Sequence, residues 1–459
     1  MMLLSQAAQA LRARMEGADV CFATVSTDTR TIAQGDLFIA LKGENFDGSK
    51  FVAQAAQSGA VAAVVNADSV IENAPCPIVR VPDTRLALGQ LAAHWRKQFD
   101  IPLVAITGSN GKTTVKEMLA AILRADTGSE ESVLATRGNF NNDIGMPLTL
   151  LRMNAAHRYA VIEMGMNHPG EIDYLTRIAQ PDVALVNNAT GAHLQGLGSV
   201  EGVALAKGEI FAGLGDAGMA VINGDDVYAA LWRKLAGSHQ VIEFALEHAA
   251  AVKGSWTSGG YGGVLQAATP AGELRAELQV PGEHNAMNAL AAASAALALR
   301  VPLATIAKGL NGFGGVAGRL QRKQALQGAT LIDDTYNANP ASVHAALEVL
   351  AQATGKRIFV LGDMGELGDD AEKFHREIGV AARELGIERM LALGMLSVAA
   401  VREFGIGAQH FDNIEALNAA LNKELDAQTT VLIKGSRFMK MERVVQFCAL
   451  HKEETCCSH

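Results

Sequence analysis

Apolar residues along this chain fall mainly in short unbroken runs, and the stretches between the runs carry helical spacing. LVAIT (103–107), YAVIEMG (159–165), DVALVNN (182–188) and MAVIN (219–223) are runs of this kind. Such alternation predicts a largely parallel sheet covered by helices on both faces. The pattern repeats in TLIDD (330–334), RIFVLGD (357–363), RMLALG (389–394) and TVLIKGS (430–436). A smaller set precedes both: DLFIAL, AVAAVV and IVRV, with the helix-like FVAQAAQSGA among them. A helical stretch from Thr84 to Gln98 leads away from this first set.

The fold class expected is therefore α/β with three domains: a small N-terminal α/β domain over 1–83, a central parallel-sheet domain over 84–314, and a C-terminal Rossmann-like domain over 315–459. The length of 459 residues agrees, at roughly 150 residues per domain. Ligands in such sheets sit at the carboxyl ends of strands. Thr107, Glu163 and Asn187 stand at such ends, facing an expected cleft between two sheets.

Composition narrows the partners. Asp and Glu number 48 against 39 Lys and Arg, a net charge of -9, and no long basic run occurs. Nucleic acid and anionic membrane are thus poor partners. The five cysteines, Cys21, Cys76, Cys448, Cys456 and Cys457, include no C-x-x-C pair, which fits a reducing cytoplasm better than a disulfide or zinc scaffold. The N-terminal MMLLSQAAQALRARM lacks a basic start and long apolar core, so an amphipathic helix is expected there, not a signal peptide. The Ala-rich run from Asn285 to Leu299 is too short to span a membrane. Nothing demands more than a monomer.

ITGSNGKTT (106–114) follows a strand and opens a helical pattern, the context a phosphate loop requires. Only Ser109 and Asn110 separate Gly108 from Gly111, so the loop is two residues shorter than G-x-x-x-x-G-K-[ST]. The glycines let backbone wrap an anion, and the helix start supplies N–H donors and a positive dipole end. Lys112 can reach β- and γ-phosphates, and Thr113 or Thr114 can ligate Mg²⁺. Nucleotide binding, ATP with Mg²⁺, is expected. Glu163, buried at a strand end, suits a Mg²⁺ ligand; a carboxylate neutralised by a nearby Arg is the alternative.

Other candidates are less specific. His193, in the loop NNATGAHLQGLGS, is a ligand or an ordinary loop histidine. Lys207 lies in an apolar helical turn, where a lysine commonly snorkels to the surface. His284 and Asn288 share a helix face at i and i+4. Asn285 is expected to cap that helix or to meet an adenine edge. Arg319, beside Gly318, is placed to cross the cleft as an arginine finger or to be a surface residue. Asp334 occupies a ribose-binding position, with Tyr336 and Asn337 beside it. Asn339 and Pro340 read as a helix cap and first turn. Lys434, Ser436 and Arg437 follow the last strand, where two cations suit a carboxylate-bearing substrate.

The use of the nucleotide is open on these residues alone. A GTPase needs N-K-x-D, and the nearest match, Asn422-Lys423-Glu424-Leu425, lacks the Asp. A small-molecule kinase is harder to exclude. TGSNGKTT, TRGNFNNDIGMPLTLL, VIEMG, HLQGLGS, AKGEI, GEHNAMNALAA, GR and DDTYNANP, however, occur in the order seen in the Mur ligase family, which makes the peptide of bacterial cell-wall precursors. The resemblance covers essentially the whole chain, including STDTRTIAQGDLFIALKGENFDG. The short phosphate loop is that family's form.

The resemblance implies an ATP-dependent ligase that forms an amide through an acyl phosphate. The N-terminal segment resembles the uridine-nucleotide domain of members acting on the muramyl tripeptide, and DDTYNANP and VLIKGSRFMKME resemble the members that add D-alanyl-D-alanine. The implied partners are UDP-N-acetylmuramoyl-tripeptide and D-alanyl-D-alanine; addition of the third amino acid is the alternative, and no D-N-P-R signature supports it. By the same resemblance Thr113 and Glu163 hold Mg²⁺, His193 holds a second Mg²⁺, and Lys207 matches a carbamylated, metal-facing lysine. Asn285, Asn288, Arg319, Asp334 and Asn337 fall to the nucleotide together with Gly108, Ser109, Asn110, Gly111, Lys112 and Thr114. Ser26, Thr27, Asp28, Thr29, Arg30, Lys42 and Gly43 face the uridine diphosphate. Asn139, Asn141 and Asn142 meet the same substrate near its diphosphate or sugar, and Lys434 and Ser436 meet the dipeptide. A domain rotation that closes the cleft is expected.

Overall fold

A computed structural model of the chain describes residues 1–191 and 194–449. Three sheets carry the architecture. The first orders its strands Arg14–Glu16, Ile78–Val81, Ala62–Asn66, Leu37–Ile39 and Val25–Ser26, all parallel except the first. Helix Thr84–Arg96, capped by Asp83, leaves this sheet. It buries Leu88 and Leu91 in a core shared with Val81, Leu103 and Leu175 of both neighbouring units. That shared core fixes the first unit to the second.

The central sheet has nine strands. Seven run parallel, in the order Val133–Ala135, Tyr159–Glu163, Leu103–Thr107, Val183–Val186, Met219–Asn223, Gln240–Ala245 and Val252–Gly259. The phosphate-loop strand Leu103–Thr107 is central, completely buried, and flanked by the strands ending in Glu163 and Val186. Helices Lys112–Thr127 and Glu283–Ala298 pack together on one face. The Ala-rich sequence of the second lets it approach closely while remaining buried along most of its length.

Antiparallel strands Gly262–Thr269 and Gly272–Leu278 extend this sheet. The simple parallel expectation omits this ribbon. Its residues alternate between buried and exposed, as in Gly272–Leu278, because one face is solvated.

The third sheet orders Gln321–Gln324, Thr330–Asp334, Thr429–Lys434, Lys356–Gly362, Arg389–Leu393 and Ala408–Phe411. Only its first strand is antiparallel. Thr429–Lys434, last in chain order, is inserted between two earlier strands. The amphipathic helix expected in the N-terminal stretch is present as Leu4–Ala10, between the short strands Met2–Leu3 and Arg14–Glu16. Arg12, between the helix and the second strand, has a positive φ of 50°. Among the described residues, no helix is long and apolar enough to cross a membrane.

Candidate active site

The phosphate loop leaves its strand at Thr107 and enters helix Lys112–Thr127 through Gly111, whose φ is 79°. A Cβ there would stand 2.2 Å from Asn288 Oδ1 and 2.5 Å from Asn187 Nδ2, so the position excludes side chains as well as favouring glycine for its backbone. Amides brace the loop from behind. Asn188 Oδ1 accepts from Asn110 N at 2.8 Å, Asn187 Nδ2 donates to Asn110 O at 3.0 Å and to Asn288 Oδ1 at 2.9 Å, and Ser109 Oγ accepts from Thr190 N at 3.0 Å. Asn187 thus supports the loop instead of performing chemistry at a strand end.

At the helix start Thr113 Oγ1 donates to Glu163 Oε2 at 2.8 Å, and Asn141 Nδ2 donates to Glu163 Oε1 at 2.7 Å. Among the described residues no Arg or Lys forms a direct ion pair with Glu163; the nearby Arg319 reaches it through the Thr113 hydroxyl. Arg319, from the third segment, donates from Nη2 to Thr113 Oγ1 at 2.9 Å and lies 4.2 Å over the Tyr336 ring. Its Nε is buried without a hydrogen-bond partner. Asn339 caps helix Pro340–Ala351 and also donates to Asn110 Oδ1 at 2.8 Å. The third unit therefore contacts the phosphate loop at two points.

These residues line a cleft of about 840 Å³. Its wall includes Ser109 to Thr114, Asn139, Asn141, Asn142, Glu163, Asn285, Asn288, Arg319, Asp334, Asn337 and Lys434, so most of the expected nucleotide and central-loop residues meet in one place. Lys112 Nζ donates to Gly108 O at 2.6 Å. Burial lowers its pKa, Glu163 opposes that, and Arg319 adds to it. Lys434 Nζ stands 2.5 Å from Asp334 Oδ2 and donates to Asn337 O at 2.9 Å. Burial pushes the His284 imidazole down to about 4, against an opposing effect of Asp334.

Several candidates occupy other environments. Asn285 does not cap: Gly282 holds the N-cap position, and Asn285 Nδ2 reaches back to Pro281 O at 2.7 Å. The capping rule fails because the helix begins two residues before Asn285. Lys207 does not snorkel. It is 1% exposed, its Nζ has only Met166 Sδ at 3.9 Å among the described residues, and burial, reinforced by Lys112, lowers its pKa strongly. Ser436 is buried just behind the cleft wall, where it accepts from Gly365 N at 2.8 Å and donates to Ala338 O at 3.1 Å, two residues that line the cleft.

Ser26 bonds within its own turn, Asp28 pairs with Arg30 at 2.6 Å, and Lys42 pairs with Asp68 at 2.7 Å. None of the set Ser26, Thr27, Asp28, Thr29, Arg30, Lys42 and Gly43 lines the cleft. His193 lies outside the described residues.

The donor set fits a magnesium nucleotide. A helix start offers N–H groups without intrahelical acceptors, Lys112 adds a cation, and Thr113 Oγ1 with Glu163 Oε2 presents two hard oxygens side by side. Among the described residues, no cluster of three His, Cys, Asp or Glu could hold a metal alone.

A phosphate-loop sheet facing a second parallel sheet, with a carboxylate and an arginine meeting at one threonine, defines an enzyme that acts on nucleotides across a domain cleft. The chain belongs to the Mur ligase family: residues 22–96 match the Mur ligase family catalytic domain, 106–296 the Mur ligase middle domain, and 318–437 the Mur ligase, glutamate ligase domain. It is 44% identical over 459 residues to the UDP-N-acetylmuramoyl-tripeptide–D-alanyl-D-alanine ligase of Escherichia coli (strain K12), covering 99% of each chain. Among solved structures it resembles MurF from Acinetobacter baumannii, with a TM-score of 0.88, 38% identity, and coverage of 96% and 97% of the two chains. MurF ligase from Thermotoga maritima in complex with ADP matches with a TM-score of 0.81 at 26% identity, covering 94% and 98%.

Proposed function

We propose that this protein is an ATP-dependent ligase that joins D-alanyl-D-alanine to UDP-N-acetylmuramoyl-tripeptide, giving the pentapeptide precursor of peptidoglycan, ADP and phosphate. The observation that carries the reading is the junction at Thr113, where the phosphate-loop helix, Glu163 and Arg319 converge. Similarity over the full length to ligases of that name supports the substrates. We place the domains at 1–83, 84–314 and 315–459. A cytoplasmic monomer is the form we propose.

A carboxylate needs activation before an amine can displace its oxygen. A tripeptide carboxylate oxygen attacks the γ-phosphorus, the bond to the β-phosphate oxygen breaks, and ADP leaves. The dipeptide amine then attacks the acyl carbon, loses a proton, and phosphate departs with the bonding pair. Bringing two anions together is the difficulty, and the chain opposes their repulsion with Lys112, the helix N–H groups and Arg319. Mg²⁺, held by Thr113 and Glu163 and at a second position by His193 with Lys207 as a carbamate, would supply further positive charge to the phosphates.

Asn285, Asn288, Asp334 and Asn337 wall the nucleotide. Asn139, Asn141 and Asn142 meet the sugar-nucleotide substrate. Ser26, Thr27, Asp28, Thr29, Arg30, Lys42 and Gly43 hold its uridine end. Lys434 faces the dipeptide, and Ser436 supports the loop beside it.

The test is phosphate release from ATP and Mg²⁺ with UDP-N-acetylmuramoyl-tripeptide, with and without D-alanyl-D-alanine. Release that requires both, with a pentapeptide product by mass, is expected. Release with a different amino acid in place of the dipeptide would change the step, and no stimulation by either substrate would remove the ligase reading.

A further inference from the structure

Lys116 lies in the second turn of the phosphate-loop helix and is 1% exposed, a costly position for an ammonium group. Nothing in the proposed chemistry uses it. Its Nζ donates to Thr136 O at 2.6 Å and stands 2.7 Å from Glu117 Oε1. Thr136 ends the strand Val133–Ala135 and begins the loop that carries Asn139, Asn141 and Asn142 into the cleft.

All the polar groups of Thr136 are engaged. Its N–H donates to Val161 O at 3.1 Å, its hydroxyl accepts from Glu163 N at 2.9 Å, and its carbonyl takes Lys116. Glu163 in turn receives Asn141 from that same loop and Thr113 from the helix that bears Lys116. Lys116, Thr136, Glu163 and Thr113 thus form a closed circuit that begins and ends on one helix.

We infer that Lys116 is a positioning residue for metal binding: through Thr136 it fixes the backbone of Glu163 and the loop of Asn141, and so aims the Glu163 carboxylate at the oxygen of Thr113. The inference rests on the proposed role of Glu163 as a Mg²⁺ ligand. Groups that orient a ligand change metal affinity by about 10- to 100-fold when removed. Lys116→Met keeps the unbranched apolar body of the side chain, one atom shorter, and removes the donor. Thr136→Val keeps the branched shape and removes the acceptor for Glu163 N, whereas Thr136→Ser retains it.

The experiment is calorimetric titration of a non-hydrolysable ATP analogue into wild type and variants, once in EDTA and once in saturating Mg²⁺. Affinity in EDTA is expected to stay within about 2-fold, because the phosphate loop is untouched, while the tightening due to Mg²⁺ shrinks by about 10-fold or more in Lys116→Met. Thr136→Val should repeat this loss, Thr136→Ser should escape it, and the double variant should be no worse than either single one, as members of one chain of contacts behave. Equal weakening with and without Mg²⁺, or unchanged Mg²⁺ dependence, would reduce Lys116 to a packing role and overturn the inference. If Lys116→Met does not fold, the Thr136 pair decides between the same two outcomes. Wild-type protein that binds no nucleotide at all would refute the proposed function instead, a separate result.

Discussion

Arg319 and Thr113, 206 residues apart in the chain, are joined by a 2.9 Å hydrogen bond from Nη2 to Oγ1. The guanidinium is held over Tyr336 while its Nε has no partner. An arginine fixed this way is held against the start of the phosphate-loop helix. Arg319→Ala is expected to lower kcat by about 10²- to 10³-fold, the usual cost of one lost donor to a charged transition state. Arg319→Lys should recover little, because an ammonium cannot span the same geometry. Steady-state kinetics at saturating ATP check both.

Breaking the Asp334–Lys434 pair should damage the fold as well as the site. Lys434 is 2% exposed, and Asp334→Asn would leave its ammonium without its carboxylate partner. The expected loss is about 3–5 kcal/mol. Urea denaturation measures it, and Lys434→Met in the same background should restore part of the loss.

Lys207 gives the opposite sign. Its amine is held well below the ordinary lysine value of 10.5 by burial, so charging it disfavours the folded state. Between its lowered value and 10.5 the unfolded chain binds more protons, and stability rises with pH. While Lys207 is a free amine, Lys207→Met should therefore stabilise the ligand-free protein at neutral pH, and it should abolish turnover. The advantage should fade as pH approaches 10.5, which melting curves at several pH values will reveal.

For His284 the window is acidic. With a folded value of about 4 against the ordinary 6.5, the imidazole is neutral in the folded protein at neutral pH. Stability is fully present above pH 6.5 and declines as pH falls toward 4, by on the order of 2–3 kcal/mol. His284→Gln should flatten that part of the stability profile, and a slope identical to wild type would refute the assignment.

The strands that carry the cleft were legible because buried parallel strands leave continuous apolar runs, as LVAIT and VLIK do. The phosphate loop was legible because its glycines, lysine and threonines come as one local unit. Lys116 was not. In sequence it is one lysine in a helix, and only the fold reveals that its carbon chain points inward and that Thr136 O receives it. The support from Asn187 and Asn188 was equally hidden, since their partners lie 77 and 78 residues away at Asn110. Ser436 shows the converse: a polar residue beside two cations looked like a substrate contact, yet backbone groups satisfy its hydroxyl. Spacing identifies elements, while long-range polar partners emerge only once strand order is known.

The strand Thr429–Lys434 fills the slot between Thr330–Asp334 and Lys356–Gly362. During synthesis those two strands emerge long before the one that joins them, so the third sheet cannot assemble in the order in which it is made. Lys434 arrives with the late strand, and Asp334 waits roughly a hundred residues of translation for its counter-ion. A nascent chain that has already exposed its phosphate loop therefore lacks the opposite wall of the cleft. The cleft wall is complete only once Lys434 has followed Asp334 out of the ribosome.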